Sequence, residues 1–356
     1  MPAAASTKNS PGPGGKGKPP RRRWVRGLLT GLAAFVVILL GIGAWATYVW
    51  GPRFGFYPIA PSPKRYAEIA LGFLEEGYYA EGPEWDAVRQ RVQDAAGSAE
   101  NYEDLHGVLA EATTVAGGKH SFFLTPEVNA QVSETAQAEY RAPEVSTEGG
   151  ITTIVVPDLG TNDVDQLQDY AMVAAKGIAD AAPQTCGWIV DLRGNRGGNM
   201  YPMLSGLAQL LPDGPAMTFC MREGAGTEVV MNPDGVAGFG GQTVNPVPEN
   251  PKIEGQPIAV LYDQNTASSG EAVATVFRGL DKVRSFGSAT AGYTSGNSVM
   301  PLYDGASLVI TGSVYVDRDG VNLNEEPMAP DVQVNPADAP GAAREWLAEQ
   351  GCTAGR

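Results

Sequence analysis

Histidine is almost missing from this chain: His106 and His120 are the only two among 356 residues, which excludes a histidine-rich metal site. Cysteine is nearly as scarce. Cys186, Cys220 and Cys352 show no metal-ligand spacing; one pair of them can form a disulfide in an oxidising compartment, but the sequence does not say which. Charge is missing altogether between residues 27 and 52, and acid is missing from residues 1 to 26, which hold seven Lys or Arg. The remainder therefore carries 18 basic residues against 40 acidic ones, a net of −22. Such a body repels phosphate backbones, so nucleic acid is excluded as a partner. There are no internal repeats, and neither a metal nor another cofactor is expected.

The uncharged stretch, GLLTGLAAFVVILLGIGAWATYVW at 27–50, is long enough to cross a hydrocarbon layer of about 30 Å at about 1.5 Å per residue. Trp24, Trp45, Tyr48 and Trp50 flank it where interfacial aromatics belong. RRRWVR precedes it, so the positive-inside rule leaves the N-terminus in the cytoplasm and the body outside. The AWA step at 44–46 offers a competing reading as a signal-peptide cleavage site. The apolar run exceeds most signal cores, which favours an uncleaved single-pass anchor. Residues 1–26, rich in Pro, Gly, Ser and basic residues, read as a disordered cytoplasmic tail.

Residues 54–118 read as a helical module, with Trp85, Val88 and Val92 on one face and Leu105, Val108, Leu109 and Ala112 on another. From Gly150 strands and helices alternate. ITTIVVP, GWIVDL and PIAVLYD read as strands, each followed by a helical pattern, which implies an α/β layered core over 119–336. The glycine-rich stretch 216–255 reads as a β-rich excursion or cap, and the runs after 284 as a short meander. Residues 337–356 supply a last helix and tail.

Ser268 stands at the join of a strand and a helix in NTASSGEAVATVF, three residues before Glu271. That spacing is a capping box, in which serine and glutamate satisfy free backbone N–H groups. The same place suits a nucleophile, because the helix dipole and free N–H groups of a first turn hold an oxyanion. His120, in GGKHSFF, follows two glycines at the end of the helical module. His106 lies mid-helix and reads as structural. DLRGNRGGNM places three glycines after a buried strand. The turn lacks both the dinucleotide order of glycines and a Walker lysine, so it favours close backbone approach to a substrate over nucleotide binding.

Taken in order, GWIVDLRGNRGGNM, VLYDQNTASSGEAVA, FGSATAGYTSGN and APDVQV resemble the motifs of the tail-specific, or carboxyl-terminal processing, serine peptidases, over roughly residues 62–336. The resemblance implies a ClpP/crotonase-like α/β core, with the N-terminal helical module and the small β-rich cap and meander as additions. It implies Ser268 as nucleophile and an oxyanion hole drawn from the N–H groups of Ser269 and of Gly197 or Gly198. It also implies peptide contacts at Asn199 and Met200 and around the nucleophile at Thr266, Ala267 and Glu271. Many members pair the serine with a lysine in the turn after threonine-x-glycine; Tyr293 follows Gly292 here, so that lysine is missing, and there is no room for a PDZ module between His120 and Gly150. The sequence is instead similar to the nisin-resistance branch, which is membrane-anchored and uses a serine–histidine dyad, His120 supplying the histidine of KHS. The related tricorn-type branch adds a serine and a glutamate, for which Glu325 or Glu326 is available.

A membrane-anchored extracytoplasmic serine peptidase follows, cutting peptides near their C-terminus, with lanthionine antibiotics as one implied substrate class and envelope proteins as another. Two rivals come from other classes. A ligand-binding protein on the same fold predicts a degraded site, whereas serine, histidine and both glycine turns are present. An acyl-CoA enzyme of the crotonase type belongs in the cytosol and needs no anchor.

Overall fold

The computed structural model describes residues 21–238 and 241–352, with side chains from Leu28 onward. It divides after Ile59 into two units. In the first, helix α1 (Arg21–Trp50) runs into a short 3-10 turn at Gly51–Phe54. Leu28–Phe54 is long and apolar enough to cross a membrane, and Leu29, Phe35, Val37 and Leu40 are exposed along it. The helix begins at Arg21, so the basic residues 21–26 belong to it and not to a disordered tail. The rest of that tail lies outside the described residues.

The second unit opens with three helices, α2 (Pro63–Leu74), α3 (Gly82–Ala96) and α4 (Glu103–Gly117). Ser62 caps α2, its hydroxyl accepting from the Arg65 N–H at 3.2 Å, and Pro63 fills the first helical position where no donor is needed. Trp85, Val88 and Val92 of α3 and Leu105, Leu109 and Ala112 of α4 are buried, as the 3.6-residue spacing requires. Next come strand β1 (Phe122–Leu124), helix α5 (Pro126–Ala138) and strand β2 (Glu144–Glu148). None of α5 is buried, which is why it leaves no apolar stripe in the sequence.

The α/β core follows. It contains β3 (Ile151–Val155), α6 (Val164–Ala181), β4 (Gly187–Asp191) and α7 (Met200–Gly206). The excursion holds β5 (Gly214–Met221), β6 (Gly226–Asn232), β7 (Gly235–Ala237) and β8 (Thr243–Val244). The chain then returns through β9 (Ile258–Tyr262), α8 (Ser269–Phe277) and β10 (Val283–Gly287). It ends with β11 (Ser295–Pro301), β12 (Ser307–Asp317), β13 (Val332–Gln333) and α9 (Ala339–Glu349).

These strands make two sheets. One has the order β13-β10-β9-β4-β3-β2 and is parallel except for β2. The other has the order β1-β12-β5-β6-β7-β8, with β11 also on β12, and is antiparallel throughout. The cap and the terminal meander, which the sequence reads as separate excursions, therefore combine in one sheet. Strand β12 is also one long strand where the sequence shows two short runs, because its burial does not alternate: Leu308, Val309 and Ile310 are all buried.

Strands β4 and β9 are buried on both faces, as parallel strands are. Trp188, Val190, Ile258 and Val260 face the main core with α6, α7, α8 and residues of the second sheet such as Met217 and Tyr315. Their neighbours Ile189, Ala259 and Leu261 face the opposite way, onto Ala343, Trp346 and Leu347 of α9. A disulfide between Cys186 and Cys352 ties the end of α9 to the start of β4, which settles the pairing the sequence leaves open; Cys220 is free.

The disulfide closes a loop with a sequence separation of 166 residues. Cys352→Ser is expected to destabilise the fold by about 2–4 kcal/mol, the usual effect of removing a native cross-link. Chemical denaturation monitored by tryptophan fluorescence checks this, and an unchanged midpoint would count against a structural role for the bond.

Candidate functional site

The site lies at the carboxyl ends of β4 and β9, where open α/β sheets bind ligands. These strands are parallel neighbours, so the two turns that leave them must meet. Asp191 and Asp263 shape the turns. Asp191 holds the Arg193 guanidinium through bonds of 2.9 and 2.6 Å, and Asp263 accepts from the N–H groups of Gly194 at 3.1 Å and Asn265 at 2.9 Å. Asn195 joins the turns at the centre. It is buried, its amide donates to the Val156 carbonyl at 2.9 Å, and its own carbonyl accepts from the Ala267 N–H at 2.9 Å. The sequence offers no signal for that role beyond the position of Asn195 between two glycines.

Ser268 is the residue before α8 and has φ 52° and ψ −118°. A non-glycine residue at positive φ is strained by about 1–3 kcal/mol and persists only where its surroundings dictate it. Here they do. Ser268 and Glu271 form the capping box, with the Ser268 N–H donating to Glu271 Oε2 at 2.9 Å. Glu271 also accepts from the Tyr293 N–H at 2.8 Å on the same oxygen, and from Thr290 Oγ1 at 2.5 Å and the Gly292 N–H at 2.9 Å on the other. Burial raises this carboxyl's pKa on balance, against the opposing pull of the four donors. With two donors on each oxygen, only the anion satisfies them all.

Gly197 and Gly198 pass directly over the nucleophile turn, with φ of 106° and 110°. A β-carbon on Gly197 would lie 2.8 Å from Ser268 Cβ, and one on Gly198 would lie 2.0 Å from the Leu159 carbonyl oxygen. Glycine is therefore required twice. The Gly197 N–H donates to Asn195 Oδ1 at 2.9 Å, so it is not free for an oxyanion. The Gly198 and Ser269 N–H groups remain, and Ser269 Oγ grips the Gly198 carbonyl at 2.5 Å, which orients that peptide.

Thr266 and Glu271 are corrected as peptide contacts, since both are fully buried. Thr266 Oγ1 donates to the Leu192 carbonyl at 2.8 Å, and Glu271 is committed to the turns. Ala267 is also buried. Asn199 and Met200 do line a groove of about 910 Å³ beside Ser268 and Ser269. Its walls include Phe219, Val229 and Tyr315. The Asn199 side chain also caps α7 by accepting from the Tyr201 N–H at 3.1 Å.

His120 is half-buried after α4, its ring 4.9 Å from that of Tyr293. Its Nδ1 lies 2.8 Å from Ser295 Oγ, and Ser295 Oγ donates to Glu325 Oε1 at 2.7 Å. The single hydroxyl hydrogen goes to the carboxylate, so Ser295 must accept from His120. That puts the ring proton on Nδ1 and leaves Nε2 with a free lone pair. No hydrogen bond joins His120 to Ser268 among the described residues. Glu271 Oε2 binds the N–H groups of both Ser268 and Tyr293, the residue against whose ring His120 packs. Ser295 gives no recognisable signal in the sequence. Of the two glutamates available, the structure brings Glu325 to the histidine; the Glu326 N–H turns back to Leu323. His106 is structural, with Nε2 2.8 Å from Asp304 Oδ2. No cluster of three metal-ligating side chains occurs among the described residues.

Known proteins share this arrangement of chain. The model of peptidase family S41 matches residues 151–334. A nisin-resistance protein from Lactococcus lactis subsp. lactis is 37% identical over 324 residues, which cover 91% of this chain and 98% of that one. A chloroplastic C-terminal processing peptidase from Tetradesmus obliquus is 22% identical, covering 84% of this chain and 61% of that one. Among solved structures, a lipoprotein from Streptococcus agalactiae superposes with a TM-score of 0.71 at 29% identity, over 83% of this chain and 99% of that one. The photosystem II D1 C-terminal processing protease superposes with a TM-score of 0.55 at 14% identity, over 80% and 97%, and so shares the fold.

The pKa of His120 is pushed down to about 4, chiefly by burial, which disfavours the imidazolium; Glu325 opposes this and Lys119 adds to it. The imidazole therefore stays neutral at pH values where a free histidine, at about 6.5, is charged. Labelling of Ser268 by a fluorophosphonate should hold its rate as pH falls through 6.5 and be lost with a midpoint near 4. Stability should also fall in acid, but over the whole interval between the two values. The unfolded chain binds more protons between those two values, so this residue's contribution declines as pH falls from 6.5 towards 4. An acid limb centred at 6.5 would show that His120 is not shielded.

Proposed function

This chain belongs to peptidase family S41, whose members are serine peptidases, and we propose that it cuts peptide antibiotics outside the cell through a Ser268–His120 pair. The observation that carries the reading is the geometry around Ser268. A strained serine precedes a helix, Gly197 lies against it, Ser269 holds the Gly198 carbonyl, and the Gly198 and Ser269 N–H groups have no partner among the described residues.

In this mechanism a peptide lies in the groove with its scissile carbonyl over Ser268 and the carbonyl oxygen between those two N–H groups. His120 Nε2 takes the Ser268 Oγ proton as the oxygen attacks, and the positive ring that results is steadied through Nδ1 by Ser295 and Glu325. Charge builds on the oxyanion, where one well-aimed donor is worth about 3–4 kcal/mol. His120 then gives its proton to the leaving amine, the C–N bond breaks, and an acyl-enzyme remains. A water activated by the same nitrogen releases the acid and restores the serine.

The substrate class follows from likeness and from charge. The nisin-resistance relative spans nearly the whole chain, and a body with a net charge of −22 attracts cationic peptides. Membrane anchorage through Leu28–Phe54, with the body outside, is supported by the arginines ahead of that helix and by the Cys186–Cys352 disulfide. Such bonds persist on the oxidising side of a membrane.

Full-length protein in detergent micelles should cleave nisin at one position near its C-terminus, read by mass spectrometry. Ser268→Ala and His120→Ala should each lower the rate by about 10⁴-fold or more. Cleavage by Ser268→Ala at the parent rate would sink the nucleophile assignment. Cleavage of an unmodified envelope peptide but not of nisin would move the substrate to the processing class.

A further inference from the structure

We propose that Tyr79, on the turn between α2 and α3, is a positioning residue for His120, and that Arg222 at the tip of the β5–β6 hairpin fixes the turn that carries it. The inference rests on the reading of His120 as the base and extends the site into the helical module and the cap.

Glu325 is the pivot. It is buried, and each of its carboxylate oxygens has one side-chain donor: Ser295 Oγ on Oε1 and the Tyr79 hydroxyl on Oε2, at 2.9 Å. Its backbone is held in an unusual conformation, with φ of 47° at Asn324 and 56° at Glu325, and Lys119 Nζ donates to the Glu325 carbonyl at 2.5 Å. A carboxylate in such surroundings cannot turn to find water, so the Tyr79 hydroxyl decides where Oε2 points. That in turn sets Oε1, then Ser295, then the His120 ring.

Tyr79 is itself fixed by backbone contacts. Its N–H donates to the Ala116 carbonyl at 2.8 Å, and the Tyr78 N–H to Thr311 at 2.8 Å. Its ring lies on Gly118, where a β-carbon would be 2.7 Å from the ring edge. From the other side Arg222 Nη1 donates to the carbonyls of Gly77 at 3.0 Å and Ala80 at 3.1 Å, bracketing the tyrosine. Arg222 and its ion-pair partner Glu223, 3.0 Å away, both line the groove. A peptide lying along the hairpin thus touches the clamp that holds the tyrosine turn. Burial and Glu325 raise the Tyr79 pKa, so it remains a donor across the working range.

The test uses full-length protein in micelles and two readouts. The first is the rate of Ser268 labelling by a fluorophosphonate between pH 4 and 9. The second is the ring ¹⁵N spectrum, which holds signals from only His106 and His120 and is assigned with His120→Gln. The charged and titratable groups facing His120 are Glu325, Lys119 and Tyr293; none is altered in the single variants Tyr79→Phe and Arg222→Ala, and Glu325 is changed only in the double-mutant cycle. Tyr79→Phe should slow labelling about tenfold, as expected for one hydrogen bond to a charged group. It should shift the His120 nitrogens and leave those of His106 unchanged. Arg222→Ala should act in the same direction by about threefold, a fraction of the hydrogen-bond effect. If Tyr79 works through Glu325, adding Tyr79→Phe to Glu325→Gln should cost nothing further. Additive losses, or His120 signals unmoved in Tyr79→Phe, overturn the inference. Failure of the parent protein to label at Ser268 overturns the proposed function instead, and the ring spectrum still decides the role of Tyr79.

Discussion

One buried carboxylate holds the site together. Glu271 has no exposed surface, and burying an unpaired charge costs several kcal/mol. The cost is offset only because four donors from two separate segments converge on it: Ser268 from its own helix start, and Thr290, Gly292 and Tyr293 from the turn after β10. The carboxylate therefore does more than cap a helix. It holds Ser268 at a positive φ that the residue would not adopt alone, and it fixes the Tyr293 ring against which His120 packs. Capping and chemistry at Ser268 are thus compatible, since the glutamate that caps the helix also sets the serine's backbone.

The rest follows from how neighbouring strands end. Because β4 and β9 are paired and parallel, their exits lie side by side, and Asn195 and the two glycines can bring one backbone to within contact of the other. A backbone N–H aimed by such packing costs no reorganisation when charge develops, which is why a preorganised turn serves better than a mobile side chain. The Gly197 N–H is given up to Asn195 so that Gly198 can be held rigid by Ser269.

Local pattern made much of this legible. The buried strands at 151–157, 187–192 and 257–263 are short β-branched or apolar runs ended by turn residues, and the helices at 162–182 and 271–280 carry a clear 3.6-residue period. The structure places strands and helices over these stretches with ends displaced by a few residues. What pattern could not supply is everything that depends on distant pairing. Helix α5 buries nothing and so has no stripe; β12 is buried along its length and so has no alternation. In the site, Ser268, His120 and the glycines stood out because their neighbours are unusual in sequence. Ser295, Asn195 and Tyr79 did not, because a serine, an asparagine and a tyrosine gain meaning only from partners that lie far along the chain, at Glu325 for two of them. The misreading of Thr266 and Glu271 has the same origin. Adjacency to the nucleophile in sequence does not say which side chains face the groove and which face the core.

The proposed reading of His120 as the base has a structural consequence. Tyr293 directly follows Gly292, its ring against His120 and beneath the Lys119 ammonium at 5.4 Å. A lysine on that turn would come ready-positioned, because Glu271 already fixes the backbone at Gly292 and Tyr293. A base at the end of α4, as proposed for His120, is different: it belongs to another module and can act on Ser268 only once that module has docked. Its placement must then be secured by contacts across the junction, and these are present in Ser295 on Nδ1, Asn297 donating to the His120 carbonyl at 2.8 Å, and Glu325 behind. The helical module is thereby part of the site. Loosening its junction with the second sheet would disarm the base while leaving the serine, the glycine turn and the groove beside it in place.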